Sequence, residues 1–544
     1  MSKQPTTTSA AHESSVAARE SASGAVSRGA EQVGHGIAIA AILIALGNIA
    51  SRVLGQARES LTAYLFGAGV ESSAYAIASA VPTSLYDFIV GGLISAALVP
   101  VFSELADRDD GELGRVAGTI FTAATLTMAT AAAIAWLFAA QLGALLTAGG
   151  GDSAIRAETI SLIRWMLPAT VFMALAGLIT GLLQARRKFL LPAFSTATFN
   201  LGIIAGGLLF APLVGVRSLA LGMIIGALGQ VALQLPGLRG IRLRPGLQLR
   251  HPDVRRIGKL YVPVMIGISF SLVGVTVDRA LAAGVSDMAA AQMRFATTLI
   301  QLALGIVATA ISLAALPTLS RQGSDDRDLT EYRRTLALSI KALLLLLLPV
   351  TALLAALAFP VTSLLFQQGR TSPAAAAAIA TALLVYLPML VAAGIDQPLI
   401  FAFYARRNTL LPNLVNGGAI AAYLVTAFAL VGSLGVYGLI LGNVAQWWTH
   451  ALLMLWFAHR RLDALRGQRL AEAFGKGFIA SAIAGGITYG LYRLIGDADG
   501  KIGTLALILG LGSVGLASYI GAAHLLRIEA LGVFTDALRR RWSR

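Results

Sequence analysis

The chain has 544 residues, 56% of them hydrophobic and only 13% charged, with a mean hydropathy of +0.75. A water-soluble domain carries roughly 25% charged residues, so this composition excludes an ordinary soluble globule and points to a surface that faces lipid. The net charge of +15 invites a nucleic-acid reading, which the placement of the basic residues removes below. Cys is absent, so the chain has no disulfide, thiolate nucleophile or Cys-based metal site.

Residues 1–35 are rich in Ser, Ala, Thr and Glu and lack an apolar core. They read as a disordered tail and not as a cleavable signal peptide. Apolar runs follow at 36–64, 72–103, 113–145, 157–184, 189–212 and 216–236. A second series spans 256–283, 288–318, 334–366, 373–404, 409–432 and 434–458, and two more runs cover 471–494 and 502–526. Each has the roughly 20 apolar residues that a membrane-spanning helix needs. Backbone amides in lipid must be satisfied within the segment, so runs of this kind are helices; the ten-residue alternation of a membrane barrel is missing. The spacing predicts an all-α integral membrane protein of about fourteen transmembrane helices. The basic tail at 527–544 mixes Ile528, Leu531, Val533, Phe534 and Leu538 with arginines. It reads either as an interfacial helix on an anionic leaflet or as a solvated end.

The Lys and Arg residues divide unevenly between the two sides. With a cytoplasmic N-terminus, 31 of the 42 fall in loops and tails on the starting side. Among them are Arg186, Arg187 and Lys188, the group from Arg239 to Lys259, and the group from Arg460 to Lys476. Only Arg156, Arg217, Arg370, Arg493 and Lys501 lie opposite. This is the positive-inside rule. It predicts that both termini are cytoplasmic, and the basic balance needs no nucleic acid to explain it.

The chain also repeats itself. Ala185-Arg186-Arg187-Lys188-Phe189-Leu190-Leu191-Pro192 returns 220 residues later as Ala405-Arg406-Arg407-Asn408-Thr409-Leu410-Leu411-Pro412. Gly215-Val216 with Leu219, Leu221 and Gly222 returns at the same offset as Gly435-Val436 with Leu439, Leu441 and Gly442. The unit holds an even number of spans, so both copies enter the membrane from one side, as in transporters built from parallel repeats. The expected organisation is an N-lobe at 36–236, a C-lobe at 256–458 and a helix pair at 471–526. The two pseudo-symmetric six-helix lobes then face each other across a central cavity.

Six basic residues fall within the spans: Arg52, Arg58, Arg164, Arg279, Arg294 and Lys341. A charge inside the bilayer marks a pathway or a partner, unless the side chain lies near a span end and snorkels. Snorkelling or structural pairing suits Arg164, Arg294 and Lys341. Arg52 and Arg58 flank Gly55 in the first span and point about 120° apart on an ideal helix; a bend at Gly55 would bring them to one cavity wall. Two guanidinium forks suit a phosphate or diphosphate, with helix-to-helix ion pairing as the alternative. Glu59 is placed to hold a guanidinium when no ligand is bound. Asp278, beside Arg279, reads either as a sodium or proton site or as the partner of Arg279 or a first-lobe arginine. No nucleotide-binding GxxxxGK[ST] loop occurs, so the driving force would be an ion gradient or the membrane potential. No catalytic constellation of carboxylates or histidines appears either, and an enzyme is not expected.

Several segments together carry a resemblance. They are Ser51-Arg52-Val53-Leu54-Gly55 with Arg58-Glu59, Phe66-Gly67-Ala68-Gly69, Val99-Pro100, Leu304-Gly305, Leu316-Pro317-Thr318-Leu319-Ser320 and Phe403-Tyr404-Ala405-Arg406. In these the chain, from about 36 to 526, resembles the MurJ (MviN) lipid II flippase family of the multidrug/oligosaccharidyl-lipid/polysaccharide exporter superfamily. The resemblance implies fourteen helices around a cationic cavity in the bacterial cytoplasmic membrane. It implies translocation of lipid II, the undecaprenyl-pyrophosphate-linked peptidoglycan precursor, from inner to outer leaflet, in the service of cell-wall biogenesis and cell shape. Arg52 and Arg58 take the places of the family arginines that contact the pyrophosphate, and Glu59 that of the adjoining acid. Asp278 takes the place of an aspartate implicated in sodium binding. The resemblance implies no resident cofactor, with sodium or the membrane potential as coupling element and cell-wall synthesis proteins as further partners. Departures occur at Asn408, Ser73, Tyr86 or Asp87, Gly91-Gly92 and Thr298, where the family has charged residues or a Glu-Gly pair. Arg294, one turn before Thr298 on the same face, is expected to substitute for the missing arginine. A flippase for another polyprenyl-linked glycan, and a non-transporting cell-wall scaffold, are the alternative readings.

Overall fold

A computed structural model of the protein describes residues 43–528, apart from 149, 151, 324–328, 407, 409 and 465. The N-terminal tail, and all but the first two residues of the C-terminal tail, lie outside the described residues. Among those described, every regular element is helical. Helix α1 runs over 43–66. It is followed by α2 (Val70–Ala78), α3 (Ala80–Tyr86), α4 (Val99–Ala106), α5 (Asp110–Leu137), α6 (Ala139–Leu146) and α7 (Ser153–Ala185). Next come α8 (Leu190–Val214), α9 (Arg217–Gln234), α10 (Pro252–Val285), α11 (Ala289–Gln322), α12 (Thr330–Ala356) and α13 (Ala358–Phe366). The chain closes with α14 (Pro373–Ala405), α15 (Leu410–Leu434), α16 (Val436–Leu462), α17 (Leu470–Ile495) and α18 (Gly500–Leu525).

Eleven of these helices are long and apolar enough to cross a membrane, and the protein is a multi-pass membrane protein. Local chemistry sets their starts. Asp109 caps α5 by accepting from the Gly111 amide at 2.7 Å. Ser372 caps α14 by accepting from the Ala375 amide at 3.2 Å, with Pro373 at the first helical position, where a missing N–H costs nothing. Three further helical stretches, 43–66, 70–106 and Val436–Leu462, fall outside the eleven. The last carries Asn443, Gln446, Thr449 and His450 along its length, which lowers its hydropathy without shortening it.

The stretch 70–106 is helical apart from a turn at Ser79, but not regular. Two π-helical turns, Asp87–Gly91 and Ile94–Leu98, interrupt it between α3 and α4. Pro82, the Gly91-Gly92 pair and Pro100 accompany them, and such residues commonly attend local rewinding. The irregular part lies against α10. A Cβ on Gly92 would stand 2.6 Å from Val264 Cγ1, and the Tyr261 hydroxyl donates to the Phe88 carbonyl. At the end of α4, Glu104 receives a bidentate pair of bonds from Arg256 of α10, at 2.6 and 2.9 Å.

The repeat is visible in the helix boundaries. Ser153–Ala185 and Pro373–Ala405 differ by 220 residues at both ends, as do Leu190–Val214 and Leu410–Leu434. The turns that follow α8 and α15 are made by Gly215 and Gly435 at φ +60° and +57°, a region that costs a residue with a Cβ. That requirement accounts for the repeated glycines. The two helix pairs are otherwise packed differently. Gly202 and Gly206 of α8 meet Gly226 and Gly222 of α9 so closely that added Cβ atoms would stand 2.2 and 2.3 Å from backbone. Small residues spaced by four let backbones touch and replace the hydrophobic drive that lipid cannot supply.

At the Arg-poor end the two halves of the chain are stitched together. The Arg370 amide donates to the Tyr64 carbonyl at 3.0 Å, and Thr371 Oγ1 donates to the Ala63 carbonyl at 2.8 Å. Arg370 Nη1 bonds Glu71 at 2.8 Å. Ser73 Oγ donates to the Asp287 carbonyl and accepts from the Ala291 amide.

Replacing Gly206 with Leu forces α8 off α9, and the expected loss of stability is about 2 kcal/mol. A thermal melt of the detergent-purified variant checks it; a midpoint equal to the parent's would show that the backbones need not touch.

Candidate functional site

The buried polar centre of the molecule is built on Glu59. This residue ends a run of helix α1 that begins Ser51-Arg52-Val53-Leu54-Gly55, and its side chain is completely buried. Two guanidinium groups close on it from opposite sides. Arg58, its neighbour in α1, donates to Glu59 Oε1 from Nη2 at 2.6 Å and from Nε at 3.1 Å. Arg294 of α11 donates from Nε to Oε2 and from Nη2 to Oε1, both at 2.9 Å. The remaining nitrogen of each guanidinium has a partner too. Arg58 Nη1 bonds Asn200 Oδ1 at 2.8 Å, and Arg294 Nη1 bonds Ser79 Oγ at 2.8 Å. Arg294 also lies over the Tyr75 ring, 4.5 Å from its centroid, a cation–π contact that the α2 helix supplies.

One carboxylate therefore faces two cations, and the cluster carries one positive charge in excess. The Arg58 and Arg294 side chains are 19% and 17% exposed. Planar guanidinium donors of this kind match a phosphate or diphosphate oxyanion bidentately.

Arg52 is placed apart from this cluster. Its Nη1 donates to Gln301 Oε1 of α11 at 3.1 Å, and its side chain runs over Gly305, where a Cβ would meet Arg52 Nε at 2.5 Å. Helix α1 remains helical through Gly55, and Arg52 and Arg58 have different partners. What the fold brings to Arg58 is Arg294. Sequence reasoning linked Arg294 to the cavity but missed Asn200, Ser79, Tyr75 and Gln301, all of which orient the three arginines. Asn200 is the one with a visible signal, since it is a lone amide in the apolar helix α8. Its Nδ2 also donates to the Ser51 carbonyl at 3.1 Å, which locks α8 onto α1 beside Gly55.

Asp278 lies in the other half of the chain. Its Oδ1 accepts from the Tyr423 hydroxyl at 2.9 Å and from Asn443 Nδ2 at 3.1 Å, and its Oδ2 is 3.4 Å from Arg279 Nη1. Of the alternatives open from the sequence, pairing with Arg279 is the one the structure displays. A hydroxyl, an amide and a guanidinium surround this carboxylate as arranged. Asn408 spends its Oδ1 on the Leu411 amide at 3.1 Å, capping α15. Among the described residues, Glu112, His251 and Asp253 are the acid and imidazole group close enough to share a metal ion. They sit at the starts of α5 and α10, away from Asp278 in sequence.

Among the departures, Ser73 is the seam contact described above. Thr298 turns its hydroxyl to the Arg294 carbonyl at 2.9 Å, so it lies one turn along α11 from the guanidinium that occupies the site.

A protein-family model described as lipid II flippase MurJ matches residues 62–509. The lipid II flippase MurJ of Burkholderia cenocepacia is 28% identical over 405 residues, which covers 72% of this chain and 78% of that protein. Among solved structures, lipid II flippase MurJ in an inward closed conformation superposes with a TM-score of 0.73 at 19% identity, over 90% of this chain and 100% of that one. An inward-facing multidrug resistance MATE family transporter of the MOP superfamily superposes with a TM-score of 0.64 at 14% identity, over 78% and 99%. At such identities the structures speak for the fold.

A buried carboxylate that loses its charge strands its partners. Glu59→Gln leaves two guanidinium groups facing each other in a medium of low dielectric, and the expected cost is about 3 kcal/mol. Adding Arg294→Gln to that variant should recover part of the loss. A double-mutant cycle on thermal unfolding measures the coupling; additive effects of the two substitutions would mean that the ion pair contributes nothing.

Proposed function

We propose a function from one premise: the chain belongs to the lipid II flippase MurJ family, whose model it matches over residues 62–509. It is a lipid-linked oligosaccharide flippase and not an enzyme. Its substrate is lipid II, carried from the inner to the outer leaflet of the bacterial cytoplasmic membrane by alternating access. The observation that carries this reading is the Arg58–Glu59–Arg294 cluster, a buried excess of cationic forks between helices of the two halves.

The mechanism follows from the chemistry of that cluster. No covalent bond changes, so the protein has only to exchange one set of oxyanion contacts for another. Without substrate, Glu59 neutralises part of the charge. The diphosphate takes its place on Arg58 and Arg294, and Arg52 joins from the same helix once Gln301 releases it. The prenyl tail stays in lipid throughout. Rocking requires that contacts at the two ends open in turn. At the Arg-poor end these are the bonds from Arg370 and Thr371 to the end of α1, together with Ser73 to the start of α11. At the Arg-rich end the Glu104–Arg256 pair ties α4 to α10.

The wider organisation is part of the same proposal. Fourteen crossings arise when 43–66, 70–106 and Val436–Leu462 are counted with the eleven apolar helices. The halves 36–236 and 256–458 act as lobes, with 471–526 as an added pair. The Lys and Arg asymmetry puts both termini and the Glu104–Arg256 pair in the cytoplasm. Cell-wall synthesis proteins that receive the flipped lipid are the expected partners.

Cells depleted of their own lipid II flippase should grow when this chain is expressed, and Arg58→Ala should abolish the rescue while Arg52→Ala weakens it. Membrane levels of each variant are measured alongside. Failure of the parent chain to rescue, with flipping of a different polyprenyl-linked glycan in vesicles, would transfer the reading to that substrate; rescue by Arg58→Ala would leave a scaffold.

The latch makes a separate prediction. The Arg256 guanidinium bonded to Glu104 holds its carboxyl below the usual carboxylate range. A depressed carboxyl contributes above its ordinary value, so the latch is present at neutral pH and is lost as pH falls through that lowered range. Glu104→Arg should favour the state open at the Arg-rich end, and adding Arg256→Glu should close it again. Cysteine accessibility at position 261, introduced into this Cys-free chain, reports the opening; equal labelling in all three proteins would remove the latch.

A further inference from the structure

A second buried ionisable pair lies outside the Glu59 cluster. Asp396 of α14 and His450 of α16 are 1% and 7% exposed. His450 Nδ1 stands 2.7 Å from Asp396 Oδ1, and its Nε2 stands 3.2 Å from the Pro412 carbonyl oxygen of α15. Both ring nitrogens thus face acceptors.

Taken as hydrogen bonds, the two contacts define the protonation. A carbonyl only accepts, so Nε2 must carry a hydrogen. The short contact on the other side needs one hydrogen between Nδ1 and Oδ1, whichever atom holds it. That makes two hydrogens where a neutral imidazole beside an ionised carboxylate has one. The arrangement therefore holds one extra proton. Remove it, and either Nδ1 turns a lone pair on the carboxylate or Nε2 turns one on the Pro412 carbonyl. Either way a contact that joins α14, α15 and α16 becomes repulsive.

The repeat shows that the fold does not need this pair. In the 220-residue register, Ala176 stands where Asp396 stands, Gln230 where His450 stands, and Pro192 where Pro412 stands. The first half joins its corresponding helices through Gln234. That amide donates to the Ala176 carbonyl and Ser195 Oγ and accepts from Thr180 Oγ1. All those groups are neutral, so an ionisable pair is an addition specific to the second half.

The surroundings leave the proton few other places. The buried core shared by these helices includes Leu344 and Leu348 of α12, Leu399 of α14, Val415 of α15 and Met454 of α16. Tyr404, two turns along α14, is within electrostatic reach of Asp396. Tyr332 of α12 gives its hydroxyl to the Ala402 carbonyl and feels Arg406. Asp278 and Arg279 of α10 act on Tyr386, ten residues and about 15 Å back along α14. On α11, Arg294 is committed to Glu59.

We propose that Asp396 and His450 form a proton-binding site, and that its loading and unloading accompany the rearrangement of the second half, making the proton the coupling ion. This deepens the flippase reading and rests on it for the coupling, but not for the binding of the proton. The step is a transfer of one proton between water and the Nδ1–Oδ1 contact, with the pair passing from neutral to a single negative charge.

Binding is tested without any lipid. Solid-state NMR of the full chain, labelled with 15N in its six histidines and assigned by difference from His450→Gln, reads the state of each ring nitrogen. The expected result is a His450 ring with both nitrogens hydrogen-bearing or hydrogen-shared at low pH that sheds one proton as pH rises from about 5 to 9. A ring whose state does not change over that range overturns the site. Coupling is tested in proteoliposomes with a fluorescent polyprenyl-diphosphate glycan. One proton per lipid lets a gradient of one pH unit bias the distribution between leaflets by about tenfold. The double variant Asp396→Ala with His450→Gln copies the first half, so it should insert and flip with no response to the gradient. A wild-type distribution indifferent to the gradient, or a double variant that still responds, overturns the coupling. A titrating His450 in a protein that does not move the probe lipid leaves the proton site standing and removes the flippase reading instead.

Discussion

Taking a carboxylate out of water costs several kcal/mol unless its lone pairs are met by donors in good geometry. Glu59 is wholly buried, and every contact around it follows from that cost. Arg58 alone satisfies one oxygen; the second requires a cation from another helix, and Arg294 supplies it. The pair of arginines in turn requires Asn200, Ser79 and the Tyr75 ring. A single acid thus ties α1 to α2, α8 and α11, which come from both halves of the chain. Helices from the two halves are joined here by charge and not by apolar packing.

The two halves share a register but not a polar interior. Helices α7 and α14 begin and end 220 residues apart, and so do α8 and α15. Inside that frame the first half relies on close glycine contacts and a neutral amide network around Gln234. The second half instead sets a half-buried Asp278 against Arg279, Tyr423 and Asn443, and buries Asp396 with His450. A repeat needs matched shapes to rock about a shared axis, but nothing requires matched charges. The Arg58–Glu59–Arg294 cluster lies at the junction, while the Asp278–Arg279 and Asp396–His450 pairs lie in the second half.

Irregular helix appears where the halves meet. The π-helical turns of 87–98 lie against α10, next to the Tyr261 contact. A regular helix presents one fixed stripe of side chains; an extra residue in a turn shifts that stripe and leaves backbone carbonyls to be met by neighbours. Tyr261 meets one of them. The same region carries Gly91-Gly92, where the absence of side chains lets Val264 and Ile268 approach.

Much of this was legible in the primary sequence. Helix positions, the uneven basic loops, the repeat and the family resemblance depend on composition and short-range order, which lipid enforces strictly because no backbone amide can be left unpaired there. Arg52, Arg58, Glu59, Arg294 and Asp278 stood out for the same reason: a charge in an apolar run is conspicuous. Their partnerships were not legible. That Arg58 would share Glu59 with Arg294 while Arg52 meets Gln301 depended on how α1 packs against α11. Asp278 faces donors because α15 and α16 turn Tyr423 and Asn443 toward it. Asp396 and His450, 54 residues apart, become a pair only because α14 packs on α16. Spacing along a chain fixes which face of a helix a residue occupies; which helix that face meets is decided by how all of them pack.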